Sequence, residues 1–401
     1  MSLAVLILSL IVALTTSSIV YPFVLNFAKK HHIVDNPNAR KLQREPIPVL
    51  GGCTVFIGIA TSLLLTVHYM DWYTLYGVIA FMFIMLAIGL LDDLFSLSAT
   101  LRFCLEIILV WGYIVVSHSS IDSWHGLWGI NFLSPYIGIP LSILAGVGII
   151  NSINLIDGVD GYSSGYCITA FLCFFILFIA IKQYIFACFT VICIGGLIPF
   201  YFHNAFGRKS KMFIGDGGTL MMGAALTCCI FKILSNNKML DYLGNDNFGT
   251  VAFCIAVLGI PIFDTLRVMC TRILKGGSPF APDKTHLHHL FIDLGFSHIG
   301  CGTIIICMNV LIVLVWLASY KLGLSIESQL YITIAMCLLE TFVFTCFMRY
   351  CIKKKHRIYT FMMRFGKMSH IERTGFWLTL QNLVDGDWLL SKKKSSDSKR
   401  S

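Results

Sequence analysis

The sequence predicts an all-α, polytopic integral membrane protein with about eleven transmembrane helices, its N-terminus outside and its C-terminus cytoplasmic. Three observations lead there. Apolar residues make up 57% of the chain and charged residues only 13%, with a mean hydropathy of +0.79, far from the balance of a soluble domain. Stretches of about 20 mostly apolar residues, enough to cross the hydrocarbon core, recur along the chain. Lys and Arg collect in alternate loops.

In chain order the expected spans are residues 3–27, 51–70, 72–91, 103–117, 139–156, 163–181, 184–202, 218–234, 248–268, 301–320 and 329–350. None shows the period-2 alternation of a β-barrel strand. The first has no Lys or Arg before it, is long for a signal-peptide core and is followed by Lys29 and Lys30, so it reads as a retained helix that enters from outside. With that start, Lys29, Lys30, Arg40, Lys41, Arg44, Arg102, Arg208, Lys209, Lys211, Arg267, Arg272, Lys275, Lys284 and the basic tail all fall on the cytoplasmic side. Residues 1–350 therefore form the membrane domain. Residues 351–401 form a basic cytoplasmic tail, in which 357–370 and 375–390 mix basic and aromatic residues as interfacial amphipathic helices do, and 392–401 has the composition of a disordered end.

The net charge of +9 belongs mainly to the inner face, where it suits anionic headgroups and phosphorylated substrates and calls for no nucleic acid. The 15 cysteines sit mostly in apolar spans without C-x-x-C pairs and read as small packing residues.

Four polar stretches interrupt the apolar pattern, and the topology puts all four on the cytoplasmic side. Asp92 and Asp93 end the third span, where adjacent carboxylates invite a cation; a polar helix terminus explains the pair equally well. Asn151, Asn154 and Asp157 recur every three residues on one helical face, and Gly158 then lets the chain turn into Asp160 and Gly161, a loop built to approach metal or phosphate. Gly215, Asp216, Gly217 and Gly218 precede a membrane helix whose N-terminal N–H groups suit phosphate, with a metal-capable acid beside them. His286, His288 and His289 lack the partners of a structural zinc site and are read as phosphate or substrate contacts.

Together these elements resemble the polyprenyl-phosphate N-acetylhexosamine-1-phosphate transferases. The resemblance begins with N-P-N-A-R-K from Asn36 to Lys41 and the Pro46 to Gly52 segment, and continues through Gly89 to Asp93, the Asn151 to Gly161 run and Ile214 to Asp216. It ends with Pro261 to Thr265 and Ser278 to His289. The isolated His286 ahead of the His288–His289 pair resembles the aminosugar-1-phosphate branch; the phospho-N-acetylmuramoyl-pentapeptide branch remains the alternative, and a cation-coupled transporter the competing class. Gln43 and Val49 stand where the family often has His and Arg, and Gly217-Gly218-Thr219 replaces its usual Thr-Gly-Ser or Ser-Gly-Ser.

The resemblance implies a UDP-N-acetylhexosamine donor, most simply UDP-GlcNAc, and undecaprenyl phosphate as acceptor. It implies Mg²⁺, or Mn²⁺ in its place, on Asp216 with Asn154 nearby, Asp92 as base or orienting group for the lipid phosphate, and Asp93 in support. Arg40, Lys41, Arg102, Asn151, Asp157, Asp160, Arg272, His286, His288 and His289 are then substrate contacts. A bacterial inner membrane location, surrounding lipids and a homodimer complete the expectation.

Overall fold

A computed structural model describes residues 3–36, 45–66, 73–235, 247–279, 284–370 and 375–386. The chain runs as α1 (Leu3–Lys30), a two-residue antiparallel pair β1 (Val34–Asp35) and β2 (Ile47–Pro48), α2 (Gly51–Thr66), α3 (Tyr73–Phe95), α4 (Ala99–Ser117) and α5 (Pro135–Leu155). Next come α6 (Tyr162–Ala180), α7 (Tyr184–Phe206), α8 (Gly215–Leu234), α9 (Thr250–Val257), α10 (Gly259–Leu274) and α11 (Leu287–Asp293). The chain continues with α12 (His298–Lys321), α13 (Ile326–Leu338), a π turn over Leu339–Val343, α14 (Phe344–Lys353), α15 (Arg357–Met368) and α16 (Gly375–Val384).

Among the described residues nine helices are long and apolar enough to span a membrane, and α9 with α10 forms a tenth bent by 74°. The helix α2 has only 16 residues, about 24 Å at 1.5 Å per residue, short of a full crossing. The expected eleven spans thus correspond to nine straight ones, one broken one and one short one.

The core helix is α8. Every residue of it except Asp216 in the first turn and Lys232 in the last is buried, between α3, α5 and α2. Glycine makes this approach close enough. A Cβ on Gly89 would lie 2.3 Å from the Gly217 nitrogen, and one on Gly52 would lie 2.5 Å from the Gly218 backbone. Small residues let helix backbones touch where lipid gives no hydrophobic drive to association. This contact also accounts for Gly217 and Gly218 themselves. Gly89→Ala is expected to force α3 off α8 and to cost about 1–3 kcal/mol of stability, the range for overpacking a filled interior; thermal unfolding in detergent measures it. The same device seats α1, whose buried stripe contains Ser9, Ala13 and Ser17 and which packs on α2 and α7.

The break between α9 and α10 follows from Pro261, which lacks an N–H and clashes with the carbonyl four residues back, at Val257. The freed backbone groups are taken up by one buried side chain of α12. Asn309 Nδ2 donates to the Ala256 and Val257 carbonyls at 3.3 and 3.1 Å, and its Oδ1 accepts from Ile260 N–H at 2.9 Å. Tyr166 Oη adds a bond to the Val257 carbonyl at 2.6 Å. Broken helices persist at membrane depth only with such replacement partners.

Candidate active site

Asp216 stands at the N-terminus of α8, and the sequence just before it is woven into the bundle. The Phe213 and Ile214 carbonyls accept the first N–H groups of α2, from Gly51 at 2.9 Å and Gly52 at 2.8 Å. Gly215 turns the chain with φ +75°, where a Cβ would also meet Asp93 Oδ2 at 2.6 Å, so only glycine fits. The helix begins three residues earlier than its apolar pattern suggests, which brings Asp216 into its first turn.

Asp92 and Asp93 part company there. Consecutive residues on a helix point about 100° apart, and each carboxylate finds its own partner. Asp93 accepts the N–H groups of Asp216 at 3.1 Å and Gly217 at 3.3 Å; it caps α8 and occupies the anion-binding backbone that the sequence offers to phosphate. Asp92 accepts from Arg102 Nη1 at 2.7 Å, and the same nitrogen lies 3.5 Å from Asp216 Oδ2. The Arg102 guanidinium thus sits between two carboxylates, of which Asp216 is the more open: its side chain is 37% exposed, against 10% for Asp92.

Behind this pair lies a group that the motifs do not mark. Glu106 is fully buried, approaches Arg102 Nε at 3.6 Å one turn back and accepts from Asn151 Nδ2. Asn151 therefore supports Arg102 through Glu106. The sequence signal was available: an acid inside an apolar span is rarely idle. Asn154 Nδ2 donates to Asp216 Oδ1 at 2.8 Å and to Thr219 Oγ1 at 2.9 Å, fixing the carboxylate's orientation.

The loop between α5 and α6 carries Asp157 and Asp160. Asp157 accepts from Ser163 Oγ. Asp160 Oδ2 takes Lys211 Nζ at 2.6 Å and lies 2.7 Å from His298 Nδ1. Burial alone would raise the Asp160 pKa, but His298 and Lys211 outweigh it and hold the carboxyl below its ordinary range. Gly158 lies against His288, so that a Cβ there would meet His288 Nε2. His288 is buried and held neutral, its pKa pushed down to about 3 by burial and by the neighbouring His289 and His286.

His286 stacks parallel to His288 with ring centres 5.8 Å apart. Its Nδ1 contacts Asp264 Oδ2 at 2.9 Å, leaving Nε2 buried without a protein partner. His289 is half-buried beside His288. Arg272 donates to the Pro279 carbonyl at 2.6 Å and closes the turn after α10. Arg40, Lys41 and Gln43 lie outside the described residues. Val49 is buried, packed toward Gly215. Asn204 is a further participant without a motif: its Oδ1 accepts from Gly161 N–H at 2.6 Å and its Nδ2 donates to the Met212 carbonyl at 3.0 Å, tying the two polar loops together.

Among the described residues no group of three or more His, Cys, Asp or Glu side chains forms a closed metal cage. Mg²⁺ needs no such cage, since it takes one or two carboxylates and completes its octahedron with water and substrate phosphate oxygens. The open carboxylate of Asp216, with Asp92 directed at the same guanidinium, fits such a half-built site. Asn154, whose amide nitrogen faces Asp216, acts in this geometry as the orienting donor.

The sequence model of glycosyl transferase family 4 matches residues 75–234, the segment from α3 to α8 that carries Asp92, Arg102, Glu106, Asn154 and Asp216. A Bacillus subtilis (strain 168) protein named "Probable undecaprenyl-phosphate N-acetylglucosaminyl 1-phosphate transferase" is 30% identical over 298 residues, covering 73% of this chain and 79% of its own length. Undecaprenyl-phosphate alpha-N-acetylglucosaminyl 1-phosphate transferases of Yersinia pestis and Escherichia coli (strain K12) are each 28% identical, over 345 and 365 residues. They cover 85% and 88% of this chain, and 89% and 92% of their own lengths. With the carboxylate and arginine cluster inside the matched segment and similarity running through most of the chain, this multi-span membrane protein is a transferase that belongs to glycosyl transferase family 4.

Proposed function

We propose that the chain transfers N-acetylhexosamine-1-phosphate, GlcNAc-1-phosphate in the first instance, from a UDP-sugar to undecaprenyl phosphate, giving undecaprenyl-diphosphate-sugar and UMP. The observation that carries this reading is the Arg102 guanidinium held between Asp92 and Asp216 at the mouth of the core helix. The names of the similar proteins support the acceptor and the sugar. The reaction takes place at the cytoplasmic face of a bacterial inner membrane, where the basic loops and the polar cluster meet.

In the transfer, an oxygen of the lipid phosphate attacks the β-phosphorus of the donor. A new diphosphate bridge forms, the bond from the β-phosphorus to the bridging oxygen breaks, and UMP leaves with its electron pair. A phosphate monoester has a second pKa near 6, so the acceptor is already largely dianionic at neutral pH and the demand for a base is small. Asp92 accordingly acts more by orienting Arg102 and the acceptor than by taking a proton. Arg102 offers planar donors to phosphate oxygens, and Glu106 with Asn151 holds it in place. Asp216 would hold Mg²⁺, which when bound would neutralise charge on the donor diphosphate. The Asp157 to Gly161 loop receives the nucleotide sugar against His288, and His286 Nε2 is left to contact it.

The test is UMP release by purified protein with undecaprenyl phosphate, Mg²⁺ and a panel of UDP-GlcNAc, UDP-GalNAc and deoxy-aminosugar nucleotides. Release with UDP-GlcNAc that stops on chelation and returns with added Mg²⁺ is the expected result. Full activity after complete metal removal would refute the metal assignment; ion flux in liposomes without UMP release would replace the enzyme reading by a transporter.

A further inference from the structure

The loop from Gly207 to Ile214, between α7 and α8, presents three successive backbone N–H groups to one point, a concavity of the kind that binds anions. The anion at that point comes from the other end of the protein. Asp385, just after α16, accepts Arg208 N–H at 3.1 Å to both carboxylate oxygens. Lys209 and Ser210 N–H donate to its Oδ1 at 3.1 and 3.0 Å, and Ser210 Oγ at 2.7 Å. Burial would raise the Asp385 pKa, but the Ser210 hydroxyl and the three N–H groups outweigh it and hold the carboxyl below its ordinary range.

The helix that delivers Asp385 is otherwise loosely attached. None of the residues of α16 is buried, and its ring contact with the bundle is Trp377 stacked on Phe206, centres 5.2 Å apart and planes within 10°. The loop it grips is pinned from other sides as well. Tyr21 Oη donates to the Ser210 carbonyl at 2.7 Å, Lys29 Nζ to the Lys209 carbonyl at 2.8 Å, and His203 Nδ1 lies 3.0 Å from Ser210 Oγ. The next residue is Lys211, whose ammonium holds Asp160, and Met212 is joined through Asn204 to Gly161. Whatever fixes residues 208–210 therefore supports two of the contacts on the Asp157 to Gly161 loop, Lys211 on Asp160 and Asn204 on Gly161, beside those from Ser163, His298 and His288.

We propose that Asp385 is a positioning residue for the transfer reaction: its carboxylate fills the anion nest of Arg208, Lys209 and Ser210 and so holds Lys211 on Asp160 at the nucleotide-sugar loop. The C-terminal segment is then a clasp on the donor site, not a bystander at the membrane surface. This role rests on the transfer reading given above.

The test uses the full-length protein, comparing wild type with Asp385→Ala, Asp385→Glu, Lys211→Ala and the double variant Asp385→Ala/Lys211→Ala. Asp385→Ala is expected to raise KM for the UDP-sugar about five- to tenfold with kcat within about twofold, the signature of lost binding shared by ground and transition states. Asp385→Glu restores most of that loss. Lys211→Ala gives a similar rise, and the double variant is no worse than the more impaired single, since two residues in one chain of contacts are not additive. An unchanged KM in Asp385→Ala, or a double variant whose loss is the product of the singles, overturns the proposal. So does a large fall in thermal stability of Asp385→Ala, because α16 buries nothing whose loss would unfold the bundle. Absence of UMP release from the wild type strikes the transfer reading alone, whereas wild-type turnover with an indifferent Asp385→Ala strikes only the clasp.

Discussion

Asp216→Asn is expected to lower kcat for UMP release by about three orders of magnitude while the protein keeps its fold, on the scale of about 10²–10³ lost with one preorganised electrostatic group. The substitution is nearly isosteric, and the residue is one of only two in α8 that reach the surface, so packing is not disturbed. Asn154 still has an oxygen to bind. What disappears is the negative charge that faces Arg102 at 3.5 Å and would hold the metal. An amide cannot neutralise Arg102, and a Mg²⁺ ion at this position would lose its carboxylate ligand. Saturating both substrates should not rescue the variant. Turnover within tenfold of wild type under those conditions would remove Asp216 from the centre of the mechanism.

Asp264→Ala is expected to cost about 3–5 kcal/mol of stability, the range for removing one partner of a buried ion pair. Asp264 and Arg267 are each only 3% exposed. The Asp264 carboxylate accepts from Arg267 Nε and Nη2 at 3.1 and 2.6 Å, and from Leu287 N–H at 3.1 Å, beside its contact with His286. Without it the guanidinium keeps the Thr285 carbonyl at 2.7 Å as its best partner, and a full charge is stranded in the interior. Thermal unfolding in detergent reads the loss directly. Asp264→Leu/Arg267→Met, which removes both charges, should recover a large part of it; if the double variant is as unstable as Asp264→Ala, the ion pair is not the source of the effect. Asp264 is thus foremost the post to which His286 and the start of α11 are tied, and it belongs to the architecture of the site before its chemistry.

The helical, membrane-spanning class and most span positions were legible because hydropathy depends on composition alone. Direction was not. The bend at Leu258 was invisible to an apolar average, although Pro261 marked it, and its partner Asn309 sits 49 residues beyond Ile260 in a span that otherwise reads as lipid-facing. The start of α8 was misplaced by three residues for a similar reason. Glycines weaken a helix on their own, and only the tight contacts with α2 and α3 make them helical here. Of the site, the residue types were readable and their division of labour was not. Asp92 and Asp93 look like one acidic pair in sequence but face different partners on a helix. Glu106 was passed over inside an apolar span, and the docking of Asp385 depends on a loop 175 residues away in the chain.

The Asn309 repair of the broken helix makes α12 a lever. Its side chain grips the bend above α10, while its first residue, His298, meets Asp160 in the loop after α5. One rod thus holds both the start of the helix that bears Asp264 and the loop that the histidines face.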